Sequence, residues 1–278
     1  MFNKVVFATD FSESSQKIVN ILANYKNIFK EIIPVRVVNI NKVLMSVFSD
    51  IDEWIQREKT VSEEMLLELT GYLREMGFKV DLFYIPVGDP ATEIVHVAEK
   101  VKASLIIMGS RGRSVLKTIL LGSVAEGVLR KSKIPIIIIK GNNINIFHKI
   151  LYVHYPLEVD EEMLKYLKTM AKAGGKYILL LHVVEPMLPP ESTSNLMISK
   201  YERAKDVLEC LKDQLKKHGI DVKSIVRLGQ PHKEILRIAQ EENVTMIALR
   251  PQIKKGLFSS TTEIVVRRSK VPVFIYKR

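Results

Sequence analysis

Leu105-Ile106-Ile107-Met108-Gly109-Ser110-Arg111-Gly112 decides the reading of this chain, together with Gly122-Ser123 after nine intervening residues. The run Leu105 to Met108 is apolar throughout, as a strand buried on both faces of a sheet must be. A glycine directly after it allows backbone torsions or a close approach that a β-carbon forbids. Gly122-Ser123 then opens a segment carrying Ala125, Val128 and Leu129 at helical spacing. A helix N-terminus presents unpaired N–H groups and partial positive charge, which suits phosphate. Successive loop N–H groups can form an anion nest, and Arg111 and Arg113 add charge. Taken singly, each glycine is equally an ordinary turn residue or helix cap. The full spacing after a buried strand is what points to an anion cradle.

Outward from this stretch the chain is written twice. Gly88-Asp89-Pro90-Ala91-Thr92-Glu93-Ile94 returns as Gly229-Gln230-Pro231-His232-Lys233-Glu234-Ile235. Ser104-Leu105-Ile106-Ile107-Met108 returns as Thr245-Met246-Ile247-Ala248-Leu249, and Lys131-Ser132-Lys133-Ile134-Pro135-Ile136 as Arg268-Ser269-Lys270-Val271-Pro272-Val273. Two domains follow, 1–141 and 142–278, joined at the polar turn Gly141-Asn142-Asn143-Ile144-Asn145. Each copy alternates apolar strands with helical stripes. In the first, strands are expected at Val5–Ala8, Ile32–Val38, Val80–Ile85, Leu105–Met108 and Ile136–Ile139. Asp10-Phe11-Ser12-Glu13 offers cap chemistry for a helix, and Asp89-Pro90 does the same further on. Met65, Leu66, Leu69, Tyr72, Leu73 and Met76 mark a third helix, stopped at Gly77. The second copy repeats the order with strands at Ile150–Val153, Tyr177–Val183, Val222–Val226, Met246–Leu249 and Val273–Tyr276. The fold class is α/β: two tandem doubly wound domains, each a five-stranded, mostly parallel sheet with helices on both faces.

Composition narrows the function classes. The 278 residues are 47% apolar and 26% charged, globular values that exclude a disordered or collagen-like chain. A single cysteine, Cys210, excludes an intrachain disulfide framework and a cysteine-rich zinc site, and makes a reducing cytoplasm the natural setting. Lying among Val207, Leu208 and Leu211, it reads as core or half-buried. No run approaches a membrane-spanning length, and Met1-Phe2-Asn3-Lys4 lacks the apolar region of a signal peptide. Net charge is +11, divided +3 and +8 between the two parts. That favours an anionic partner. Nucleic acid is disfavoured, because no aromatics interleave a basic stripe. The six histidines show no paired ligand spacing, and no G-x4-G-K-[S/T] phosphate loop exists. Gly174-Gly175 reads as a helix stop, and Trp54 as a packing anchor within a charged extra segment that could also form a lid or partner surface.

Gly109, Gly112, Gly122 and Ser123 match, without a gap, the G-x2-G-x9-G-[S/T] motif of nucleotide-binding universal stress proteins. Thr9-Asp10-Phe11-Ser12 resembles that family's first-strand end. The chain is therefore similar to a tandem member of the universal stress protein family, over nearly all of both copies. The resemblance implies a fold of the adenine-nucleotide alpha-hydrolase type, with ATP or AMP in the first domain, with or without Mg²⁺. It implies that adenine sits near Val38, contacting its backbone, and that Ala8, Thr9 and Asp10 line the adenosine. Met108, Gly109 and Gly112 would face the ribose and first phosphates, beside Arg111. Gly122, Ser123, Val124 and Ala125 would hold phosphate through main-chain groups and the Ser123 hydroxyl. Ala125 stands where the family often has a hydroxyl, so the resemblance leaves one phosphate or metal contact without its usual residue and implies AMP as a candidate ligand beside ATP. The resemblance also implies that Ile136–Ile139 and Val273–Tyr276 pair within the chain, and it is compatible with a homodimer.

The second copy departs from the motif. His154-Tyr155 stands at the place of Thr9-Asp10, Arg250-Pro251 at that of Gly109-Ser110, and Ser259-Ser260 at that of Gly122-Ser123, in a loop four residues shorter. Pro251 removes an N–H, so no nucleotide is expected there by the same geometry; Arg250, Lys254 and Lys255 could still attract an anion. Three functions remain open: a regulatory nucleotide-binding protein of the stress-response kind, a slow metal-assisted ATP hydrolase using Asp10, or a pure interaction module.

Overall fold

The computed structural model describes residues 2–40, 51–111, 121–155, 158–186, 194–251, 253–254, 257–258 and 260–277. The chain forms two compact units, Met1–Ile144 and Asn145–Lys277. The first runs β1 (Phe2–Ala8), α1 (Glu13–Asn24), β2 (Phe29–Val35), β3 (Val38–Asn39), α2 (Ile51–Glu75), β4 (Val87–Gly88), α3 (Pro90–Lys100), β5 (Leu105–Gly109), α4 (Ser123–Lys131) and β6 (Ile136–Ile139). Its sheet has the order β2-β1-β5-β6, all parallel. The chain steps from β1 out to β2, then returns to lay β5 on the other side of β1. Strand order therefore reverses at the β1/β5 pair, and the crevice beyond their carboxyl ends is where such sheets bind ligands. Val5, Val6, Ile106, Ile107 and Ile137 are fully buried in the sheet, with Ile18 and Leu22 of α1 and Leu66 and Leu73 of α2 packed into the same core.

The fifth strand expected at Val80–Ile85 is reduced to two isolated bridges, Glu31–Lys79 and Val35–Tyr84, and the short parallel pair β3–β4. Pro34 explains the gap. The even-numbered residues of β2 face this edge: Ile32 N–H donates to Lys79 O, and Arg36 N–H to Tyr84 O. Pro34 lies between them and has no N–H to donate. Four steps on β2 also oppose five on the 79–84 side, the signature of a bulge. Helix α2 stops where expected. Gly77 has φ +88°, and Phe78 N–H reaches back to Leu73 O. Asp89 caps α3 by accepting from Thr92 N–H, ahead of Pro90.

The second unit runs β7 (Lys149–Val153), α5 (Glu161–Ala173), β8 (Tyr177–Val184), α6 (Ser194–Lys216), β9 (Asp221–Leu228), α7 (Pro231–Glu241), β10 (Met246–Leu249), β11 (Ile253–Lys254), β12 (Leu257–Phe258), α8 (Ser260–Arg268) and β13 (Val273–Ile275). Its five parallel strands lie in the order β13-β10-β7-β8-β9. Gly174 and Gly175 do more than stop α5. A β-carbon at either would stand 2.2 Å from a carbonyl oxygen, that of Phe147 or His148. Cys210 is exposed, contrary to the sequence reading. The buried stripe of α6 is Ala204, Leu208, Leu211 and Leu215, and residue 210 falls beside it.

Candidate functional site

The crevice of the first unit is built by three chain reversals. After β1, Thr9 N–H still donates to Val35 O, and the chain then turns sharply. Phe11 takes φ 57°, a left-handed conformation that costs a non-glycine residue about 1 kcal/mol. The turn is held locally: Phe11 N–H donates to Thr9 Oγ1 at 3.0 Å, and Ser12 N–H to Asp10 Oδ1 at 3.0 Å. After β5, a β-carbon on Gly109 would lie 2.9 Å from Ser14 Oγ. That hydroxyl is committed, donating to Arg111 O at 2.6 Å, so the glycine lets α1 and the β5 loop close on one another. The loop returns at Gly122, whose N–H donates to Ser110 O at 2.8 Å. Gly122 is then the N-cap of α4, and the N–H groups of Ser123, Val124 and Ala125 follow in its first turn, where no intrahelical acceptor exists.

These reversals enclose a cavity of about 520 Å³. Ala8, Thr9, Asp10, Met108, Gly109, Arg111, Gly122, Ser123, Val124 and Ala125 all line it. Gly112 and Arg113 lie outside the described residues. Val38 does not line the cavity; Val37 and Asn39 do. Strand parity is the reason. Arg36 N–H and Val38 N–H donate outward, to Tyr84 O and Pro86 O, whereas Val35 O accepts inward from Thr9. Val37 lies between these two outward-donating residues and lines the cavity. Val38, the residue expected beside the base, turns its N–H outward to Pro86 O. Sequence reasoning also missed Arg36, Ser14, Trp54 and Glu58, which line the cavity as well. Trp54 is thus a wall of the site rather than a core anchor.

Lys140 does not line the cavity but lies close enough to Arg111, which does, to feel its charge. Lys140, 7% exposed, is held down to about 8 by burial and by the Arg111 charge. The native state then releases this proton near pH 8, while the unfolded chain keeps it to about 10.4. Below pH 8 the buried cation is a constant burden, and between 8 and 10 stability from this group rises with pH. Urea melts of Lys140→Met should show the variant gaining on the parent at pH 7, with that margin shrinking by pH 10. A margin independent of pH would show that Lys140 titrates normally.

The corresponding crevice of the second unit carries different chemistry. His154, at the end of β7, is 1% exposed, and its Nδ1 lies 2.9 Å from the Tyr152 hydroxyl. Burial pushes the Tyr152 phenol well above its usual range and His182 below its own. Arg250, at the place of Gly109, reaches to the start of α5. Its Nη1 pairs with Asp160 Oδ2 at 2.9 Å, while Asp160 Oδ1 caps the helix through Met163 N–H. Arg250 is therefore spent on an internal carboxylate, neither solvated as a loop residue would be nor open to an external anion. Lys255 and the Lys254 side chain lie outside the described residues. The antiparallel pair β11–β12 follows β10 where the first unit has its glycine loop. Among the described residues, no group of three or more potential metal ligands occurs and no helix is long and apolar enough to cross a membrane.

A family model described as the universal stress protein family matches residues 1–140 and again 147–277. The chain belongs to the universal stress protein family. Its two halves are tandem copies of that family's unit. Universal stress protein MJ0577 of Methanocaldococcus jannaschii is 33% identical over 159 residues, covering 51% of this chain and 98% of that protein. Universal stress protein MJ0531 of the same organism is 32% identical over 145 residues, covering 50% and 83%. The crystal structure of a universal stress protein from Archaeoglobus fulgidus matches 99% of this chain and 98% of its own, at 32% identity and a TM-score of 0.77. The tandem doubly wound architecture is thus shared along the whole length with another universal stress protein.

Proposed function

We propose that this universal stress protein binds one adenine nucleotide, ATP or AMP, in its first unit and acts as a regulatory binding protein. The observation that carries the reading is the pairing of two backbone features across one cavity. At one end the first-turn amides of α4, from Ser123 to Ala125, offer donors to an anion. At the other, the Val37 N–H and C=O offer one donor and one acceptor, the pattern that the amino-pyrimidine edge of adenine complements. A volume of about 520 Å³ falls within the ~300–1,000 Å³ range of small-ligand sites. Any Mg²⁺ would ride mainly on the phosphates, since Asp10, Glu58 and Glu126 line the cavity without forming a group of metal ligands among the described residues. Asp10 Oδ1 is already engaged in its turn, which favours binding over water activation.

In the second unit, the Arg250–Asp160 pair stands against the same use. Isothermal calorimetry of the full chain with ATP and with AMP should give micromolar binding at one site per chain. Absence of binding below millimolar concentration would overturn the proposal. Two sites per chain would overturn the assignment to one unit. Mass analysis of small molecules released on denaturing freshly purified protein would identify which nucleotide is carried.

A further inference from the structure

Helix α2 carries a buried stripe, Ser62, Leu66, Thr70 and Leu73, that packs on the first unit's core. Continued toward the N-terminus in steps of four, the same stripe reaches Glu58 and Trp54. Neither of these is buried, and both line the cavity. At 1.5 Å per residue, Trp54 lies about 18 Å along the axis from Leu66. The inward face of α2 therefore leaves the core and overhangs the cavity for its first two turns. Helix α2 also packs on β3, whose Asn39 lines the same cavity. Trp54 and Ile55 are half-buried in a stretch where Asp52, Glu53, Gln56 and Arg57 are exposed. An indole that lines the cavity from a charged helix is placed to cover a flat apolar surface.

Resting on the nucleotide reading above, we infer that Trp54 is a specificity-determining residue that stacks on the base of the bound nucleotide and selects a purine over a pyrimidine. The backbone of Val37 reads the edge of the ring, and Trp54 covers its face. Backbone hydrogen bonding to an edge tolerates several bases, whereas stacking area grows from one ring to two. Trp54 thereby adds discrimination that the strand alone does not supply.

The chain contains one tryptophan, so its fluorescence reports this residue alone. Titration of the full chain with ATP should change the emission and saturate at the same midpoint as the calorimetric isotherm. Trp54→Leu should weaken ATP by tenfold or more and UTP by less than threefold, narrowing the purine preference, while Trp54→Phe keeps ATP within about threefold of the parent. ATP binding by calorimetry with unchanged emission, together with Trp54→Leu within twofold of the parent, would overturn this inference and leave the nucleotide site intact. Failure of the parent chain to bind any nucleotide would overturn both.

Discussion

Gly122→Asp should abolish nucleotide binding while leaving the fold as stable as before. Gly122 is the N-cap of α4, with φ −75° and ψ 152°, an ordinary extended conformation open to any residue. A β-carbon there would meet Ser110 O at 3.4 Å and Arg111 Cα at 3.6 Å, which is normal contact. Aspartate is moreover among the best N-cap residues, since its carboxylate accepts from the first-turn amides. The unliganded protein thus gains a cap, and its thermal midpoint should hold or rise by a degree or two. The same carboxylate would take the amides of Val124 and Ala125 that the proposed phosphate needs, and would oppose that phosphate with its own charge. Affinity should fall at least 100-fold, about 2.7 kcal/mol, by calorimetry. Gly122→Ala supplies the control, adding the β-carbon without the charge. Binding by Gly122→Asp at parental affinity would refute the cradle.

Gly174→Ala should act in the opposite way, destroying stability through the chain itself. Its β-carbon would stand 2.2 Å from Phe147 O, 2.4 Å from Phe147 C and 2.6 Å from Phe147 Cβ. The obstacle is backbone, and Phe147 is fully buried, so no side chain can swing aside. Either the end of α5 or the segment before β7 must shift. The expected loss is about 3 kcal/mol or more, which in a unit of this size lowers the midpoint by roughly 10 °C. Thermal unfolding followed by circular dichroism measures it. A drop of less than 2 °C would mean that the two segments separate easily. The two glycines look alike in the sequence, each bordering a helix. One is kept free by the proposed ligand and the other by a neighbouring carbonyl.

The same contrast runs through the whole reading. The strands and helices of both halves were legible because burial on two faces demands uninterrupted apolar runs, and caps such as Asp89-Pro90 have local chemistry. Ten of the twelve residues assigned to the site line one cavity because they follow the ends of β1 and β5 or open α4, and strand order places those ends together. The errors share a cause as well. The sequence points to Val38 at the end of its strand, and only the hydrogen bonds to Pro86 and Tyr84 show that Val38 and Arg36 donate away from β1. The apolar neighbours of Cys210 read as a core or half-buried setting, although the stripe of α6 passes one residue to its side and leaves it exposed. The broken edge at 79–84 required knowing that Pro34 faces outward.

What the sequence determined by itself was periodic or local: the duplication, the parallel α/β order, and a glycine-spaced turn that the second half lacks. Tertiary structure alone decided the phase and the reach of side chains. It set which way the Val38 N–H points, and that Trp54 lines the cavity two turns beyond its helix's buried stripe. It also set Arg250 on Asp160 across 90 positions of chain. Periodicity is written along one dimension and survives in composition. A facing partner distant in sequence leaves no mark until the strands are laid side by side.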